Sequence, residues 1–256
     1  MAKKIVTVFL VILLVLMQVA AVSALTASEA KEDWRDAKEL SKETQEKNQD
    51  AKIKYAGNKT VENNQEVIDT GKEVLHAALN EAEAWLIWKD LEADENQDVP
   101  DDLKDSIKED VDANLAKIDS LRTEVDGIQT RFDLGVVFLK MIGNYFELLS
   151  DVARNSGNVW VYIADTHADK IESYELKLRD AANHKEDVLA KLDSAHLELE
   201  TARKNIDNAE LTYKEVKLPG TPLVKFAEGN NYLRAARANM IAANQNLNQA
   251  YRMLVN

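Results

Sequence analysis

From residue 103 onward, apolar residues in this chain return every seven positions, and no stretch shows the strict alternation of a β-strand. Between 103 and 132 one seam runs Val111, Ile118, Val125, Phe132; a second runs Ile107, Leu121, Ile128, with Asn114 interrupting it. Between 188 and 216 Leu192, Leu199, Ile206 and Tyr213 accompany Val188, Ala195, Ala202, Ala209 and Val216. Beyond Leu218-Pro219-Gly220-Thr221-Pro222 the rhythm resumes as Phe226, Leu233, Met240, Leu247 and Leu254, beside Gly229, Ala236, Ala243 and Ala250. Heptads sustained over several repeats predict coiled-coil packing of helices. One large and one small residue per heptad lets two backbones approach closely. Segments 184–217 and 222–254 therefore read as an antiparallel hairpin, each arm about 50 Å long at 1.5 Å per residue.

The breaks between helices are few. Gly57-Asn58-Lys59-Thr60 separates a polar first segment from one with Val61, Ile68, Leu75 and Ala82 on one stripe. Gly127 followed by Thr130, with Asp133 three residues on, predicts a helix end and a new N-cap. Asn155-Ser156-Gly157-Asn158 reads as a stop followed by a cap, Asn183 as an interruption, and Thr221-Pro222 as N-cap and first helical residue. Seven helices result. Segment 130–155 is apolar nearly all the way round, which predicts the central helix of a bundle made with 60–93, 100–126 and 158–182. Region 31–56 has few apolar residues and reads as a solvated outer helix or a partly disordered segment. The expected fold is all-α: a long-helix bundle over 60–182, preceded by the polar segment 25–59 and followed by the antiparallel coiled-coil hairpin of 183–256.

Composition supports long helices, with only eight Gly and three Pro in 256 residues. The first 24 residues are of another kind. Lys3 and Lys4 precede an unbroken apolar run, which ends in Val22-Ser23-Ala24. A basic start, an apolar stretch and small residues at −3 and −1 describe a secretory signal peptide, cleaved between Ala24 and Leu25, with Ala27 as a second site. The alternative is retention as an N-terminal membrane anchor, since about 18 apolar residues lie near the lower limit for a span. Either way the expected location is secreted or extracytoplasmic, with membrane attachment only if residues 1–24 stay uncleaved. Removing Lys3 and Lys4 leaves 30 basic and 45 acidic groups, a formal charge of −15. That opposes nucleic-acid binding and simple adhesion to anionic lipid. The chain has no cysteine, which excludes disulfides and a thiol nucleophile.

The run VPDDLKDSIKEDVDANLAKIDSLRTEVDGIQTRFDL, with its Pro-acidic helix start, heptad helix and Thr-capped successor, resembles a pattern found in secreted or membrane-anchored helical proteins of prokaryotes, archaeal ones among them. The resemblance covers roughly 60–256. It implies a helical bundle at the cell exterior, with no activity and no catalytic residues to carry over. Members that continue into a C-terminal membrane helix differ from these residues, which hold no second apolar run of that length.

Candidate chemistry is sparse. DENQDVPDDLKD at 94–105 places Asp94, Asn96, Asp98, Asp102 and Asp105 near the spacing of a calcium loop. Val99 stands where such a loop needs Gly, and Asp105 where it needs Glu. The other reading is a corner, with Pro100 opening a helix and Asp101 and Asp102 complementing its positive end. Glu73-x-x-His76 and Asp193-x-x-His196 are half of a di-iron motif set. Asp165 and Asp169 share a helical face that His167 leaves, and His167 joins Trp160 and Tyr174 on an expected buried seam. No Gly-x-Ser-x-Gly turn and no phosphate loop occurs, so no catalytic residue is assigned and no cofactor is expected. Asn58-Lys59-Thr60 is a glycosylation sequon in a predicted loop. The last helix carries Lys225, Arg234, Arg237 and Arg252 against one Glu228, read either as neutralising an acidic hairpin partner (Glu198, Glu200, Asp207, Glu210) or as a docking surface for an acidic partner. The expected function is a non-catalytic scaffold or interaction module with a protein partner, or self-association through helices. The alternative is an extracytoplasmic binding protein holding a small ligand or metal near Trp85, Trp88, Trp160 and Tyr145.

Overall fold

The computed structural model describes residues 25–255; Ala24 and the rest of the expected signal segment lie outside them. Over the described residues the chain is all-helical, without strands. Its helices are α1 (Ala27–Gly57), α2 (Val61–Asp94), α3 (Asp101–Asp126), α4 (Arg131–Ala181), α5 (Glu186–Lys214) and α6 (Pro222–Val255). In one part of the molecule α1 packs on α2, α2 on α3, and α2 and α3 on α4; in the other α4, α5 and α6 pack on one another. At 51 residues, about 76 Å, α4 is the spine that both halves share.

Starts follow local chemistry. Thr130 caps α4 through Asp133 N, and the Asp133 carboxylate accepts from the Thr130 and Gln129 amides. Hydrogen bonding to Thr130 and to these amides holds the Asp133 carboxyl below the usual range. Thr26 and Glu29 repeat the capping box at α1. Between α4 and α5 the chain reverses at Asn183 and His184, both at positive φ (41° and 68°).

Among the described residues six helices stand where seven were expected, because Asn155-Ser156-Gly157-Asn158 lies inside α4. Gly157 serves packing: a Cβ there would overlap the Tyr213 ring, and one on Gly229 would meet it from α6 at 2.6 Å. Region 31–56 is helical and mostly exposed, which is the solvated outer helix of the two readings and not the partly disordered segment. It belongs to α1, an antiparallel partner of α2 whose buried positions are small or polar: Ala30, Ser41, Thr44, Asn48, Ala51. Asn48 donates to Val67 O at 3.3 Å and to Thr70 Oγ1 at 2.9 Å.

The heptad seams of α3, α5 and α6 are buried largely as their spacing predicts. Ile107, Val111, Ile118, Leu121 and Val125 pack on Leu75, Leu79 and Leu86 of α2. The α5 seams are buried from Val188 to Val216. On α6 the small seam of Gly229, Ala236, Ala243 and Ala250 is buried, while Phe226, Leu233 and Met240 are half-buried. Phe132 breaks the expectation at 79% exposed, since the turn at Gly127–Thr130 ends the α3 register before it. The first half of α4 is likewise not enclosed. Only α2 and α3 pack on it, so Val136, Phe138, Leu139 and Phe146 remain exposed.

Candidate binding grooves

The sequence-derived metal candidates resolve into structural roles. Asp94 ends α2, and its carbonyl accepts from the Lys104 ammonium at 2.6 Å. Asn96 Oδ1 accepts from Asp98 N at 3.0 Å, Val99 is buried beneath the turn, and Asp102 and Asp105 lie on the first turns of α3. Among the described residues no three His, Asp or Glu side chains converge as a ligand set. His76 meets Asp126 at 3.0 Å and His196 meets buried Glu175 at 3.1 Å, so the two Glu-x-x-His-type motifs sit in different halves. Asp165 and Asp169 share Arg203, which also holds Glu172. Asn58 is the exposed C-cap of α1, and Thr60 of its sequon caps α2.

Each half has a groove among the described residues. The first, of about 850 Å³, opens between α1 and α4. Both helices pack on α2 and meet each other where the Arg131 guanidinium lies 4.9 Å from the Tyr55 ring; beyond that contact the gap between them is floored by Leu75, Leu79 and Ala82. Trp85 and Tyr145 line it, with Trp34 and Lys38 at the α1 rim. Trp88 lies outside, stacked on Trp34 at 5.0 Å under the Lys89 ammonium.

The second groove, of about 910 Å³, runs between α4 and α6. Trp160, His167 and Tyr174 form one wall, in the helical register that their spacing predicted. That wall is not a buried seam: all three are exposed, because α5 covers the opposite side of α4. Arg234 and Arg237 form the other wall, above Leu233 and Met240. Thus the four aromatics expected around one ligand are divided between two sites and a stacked pair.

The second groove gathers Lys170, Arg234 and Arg237 with no carboxylate among its lining residues. Arg122, Arg154, Arg179 and Arg203 each hold two or more carboxylates. Among the described residues, Lys170, Arg234 and Arg237 hold none, and Arg234 reaches only Asn231 Oδ1 at 3.3 Å. The expected neutralisation of α6 by α5 is therefore confined to Lys225 with Glu215. The physical reason is register: α6 turns its small seam to α5, which leaves Arg234 and Arg237 on the flank beside α4. Glu198 instead accepts from Asn239 at 2.8 Å, and Glu210 pairs with Lys214. The sequence showed the excess of basic residues on α6 but not the side on which they fall.

No protein family, no curated protein and no solved structure matches the chain.

Proposed function

We propose that the protein is a secreted, non-catalytic helical interaction module of the cell envelope or exterior, and that its α4–α6 groove takes an acidic partner. The observation that carries this reading is the cluster of three cations without carboxylates around Trp160 and Tyr174, on a chain of formal charge −13. Exposed beside an apolar floor, such cations favour a ligand that brings both negative charge and apolar surface. An amphipathic helix with acidic flanks supplies both, and would add to the coiled-coil-type packing of α5 and α6.

A helical peptide with Leu on one face and Glu on both flanks tests this against its Lys-flanked counterpart, read by tryptophan fluorescence of the full chain. The acidic peptide should bind with marked salt dependence. The double variant Arg234→Glu, Arg237→Glu should weaken it at least tenfold, about 1.4 kcal/mol. Equal binding of the two peptides, or no effect of the double variant, would sink the reading. A second reading, a small apolar ligand in the α1–α4 groove, is favoured by a volume typical of ligand sites and by Trp85 and Tyr145 within it. The same titration with a long-chain fatty acid reads it: a response that disappears in Trp85→Phe supports that site, and no response removes it.

A further inference from the structure

Along the outer face of α4, turned from α2 and α3 and reaching the rim of the α1–α4 groove at Ile142 and Phe146, run Phe132, Gly135, Val136, Leu139, Ile142, Gly143 and Phe146. Counted from Leu139 these sit at −7, −4, −3, 0, +3, +4 and +7, the positions that share one face of a helix. The side chains are a palindrome: Phe, Gly, β-branched, Leu, β-branched, Gly, Phe. The large residues of the stripe are exposed, from 38% at Ile142 to 79% at Phe132.

The glycines are the second observation. Gly71, Gly157 and Gly229 each accommodate a side chain from another helix, Leu134 or Tyr213. Gly135 and Gly143 meet nothing within 4 Å. Both weaken the helix that contains them, and among the described residues nothing uses the space they leave.

We infer that this stripe is the interface of an antiparallel homodimer, with a twofold axis passing beside Leu139. A twofold interface must be self-complementary, each residue at +n meeting the partner's residues near −n. A palindromic face meets that condition. Under the twofold, Leu139 lies against its own copy and Phe132 lies opposite Phe146. Ile142 at +3 falls on the same flank as Gly135 of the second copy, one residue further along, so it fills the notch of that glycine. Val136 fills the notch of Gly143 in the same way. Large residues thus enter the empty glycine positions on both sides of the axis.

Area and charge agree with this occupant. The five large side chains expose roughly 500 Å² per protomer, and Phe138 and Tyr145 at the edge bring the face toward the about 800 Å² per partner of a standard interface. Between Asp133 and Glu147 the only charged residue is Lys140, which turns away to Glu124 of α3. A pair of copies with net negative charge therefore meets along a face free of charge. The inference is independent of the acidic-partner reading, which concerns the other half of α4.

Sedimentation of the full chain should give twice the chain mass at about 50 µM, a concentration that populates dimers of micromolar Kd. Leu139→Glu should give the monomer with unchanged helical circular dichroism, because Leu139 is 68% exposed and supports no core. Gly143→Leu adds apolar surface yet fills the notch, so it should weaken the dimer at least tenfold; unspecific adhesion would be strengthened by it. Because the chain lacks cysteine, single replacements report direction. Leu139→Cys should form a disulfide dimer on oxidation, whereas Phe132→Cys should not, its two copies lying about 21 Å apart along the axis. A monomeric wild type, undiminished association of Gly143→Leu, or equal cross-linking of the two cysteine variants would each overturn the inference.

Discussion

Tyr213 is a residue whose surroundings come from three helices. Its ring is fully buried between Gly157 of α4 and Gly229 of α6, and its hydroxyl donates to Asn230 Oδ1 at 2.6 Å. Burial pushes the phenol up to about 12, with Arg234 opposing it. The folded state therefore favours the neutral phenol. Its contribution is complete below the unfolded value near 10 and is lost as pH rises through about 12, on the order of 2 to 3 kcal/mol. Tyr213→Phe should be less stable than wild type by about 1 kcal/mol at pH 8, through the lost hydrogen bond. That deficit should close between about pH 10 and 11 and reverse by about 1 kcal/mol at pH 12, as urea midpoints would show. Parallel profiles for the two proteins would contradict this account. At this scale Tyr213 was legible in the sequence as a heptad residue, but its glycine clasp was not, because its two glycines lie 72 residues apart on different helices.

At the scale of the helix, legibility followed the chemistry of the seam. Those of α3, α5 and α6 are apolar and were visible as a seven-residue rhythm. The seam of α1 holds Ser41, Thr44 and Asn48, so the same geometry looked like a solvated surface. A seam of this kind gains little from apolar burial and depends on hydrogen bonds such as those of Asn48 to α2. Consequently α1 should open at lower free energy than α5 and α6. Asn48→Ala should lower that opening free energy by about 1 kcal/mol, seen as faster amide exchange over 37–55 with no change in α5 or α6. Exchange that accelerated equally in all helices would show that α1 does not open as a unit. The stop read at Asn155–Asn158 failed for a related reason: a glycine that admits an aromatic ring and one that ends a helix are identical in a one-dimensional pattern.

For the whole molecule, α4 divides the surface into regions of different character. One half presents an apolar face and groove, the other a cationic groove flanked by aromatics. Both are products of who packs against whom: α1 lies on α2 beside α4 and leaves a gap to it, and α5 lies on the far side of α4 from Trp160. The extracytoplasmic reading rests on residues 1–24, and the intact mass of the protein from its own host tests it. Released protein should begin at Leu25, whereas a mass retaining residues 1–24 in the membrane fraction would make the module tethered, and a cytoplasmic full-length chain would contradict the reading.

Helix formation, the capping of α4 at Thr130 and the pairing of α5 with α6 were determined by the sequence alone. They depend on neighbours three, four or seven residues away, and such separations are written in the chain. The exposure of the Phe132–Phe146 stripe, the grouping of Trp160 with Arg234 and Arg237, and the division of four aromatics among separate sites were decided only by tertiary structure. Each depends on which face of one helix another helix happens to cover. Periodicity can say that a face exists; only packing determines whether that face is core, groove or open surface.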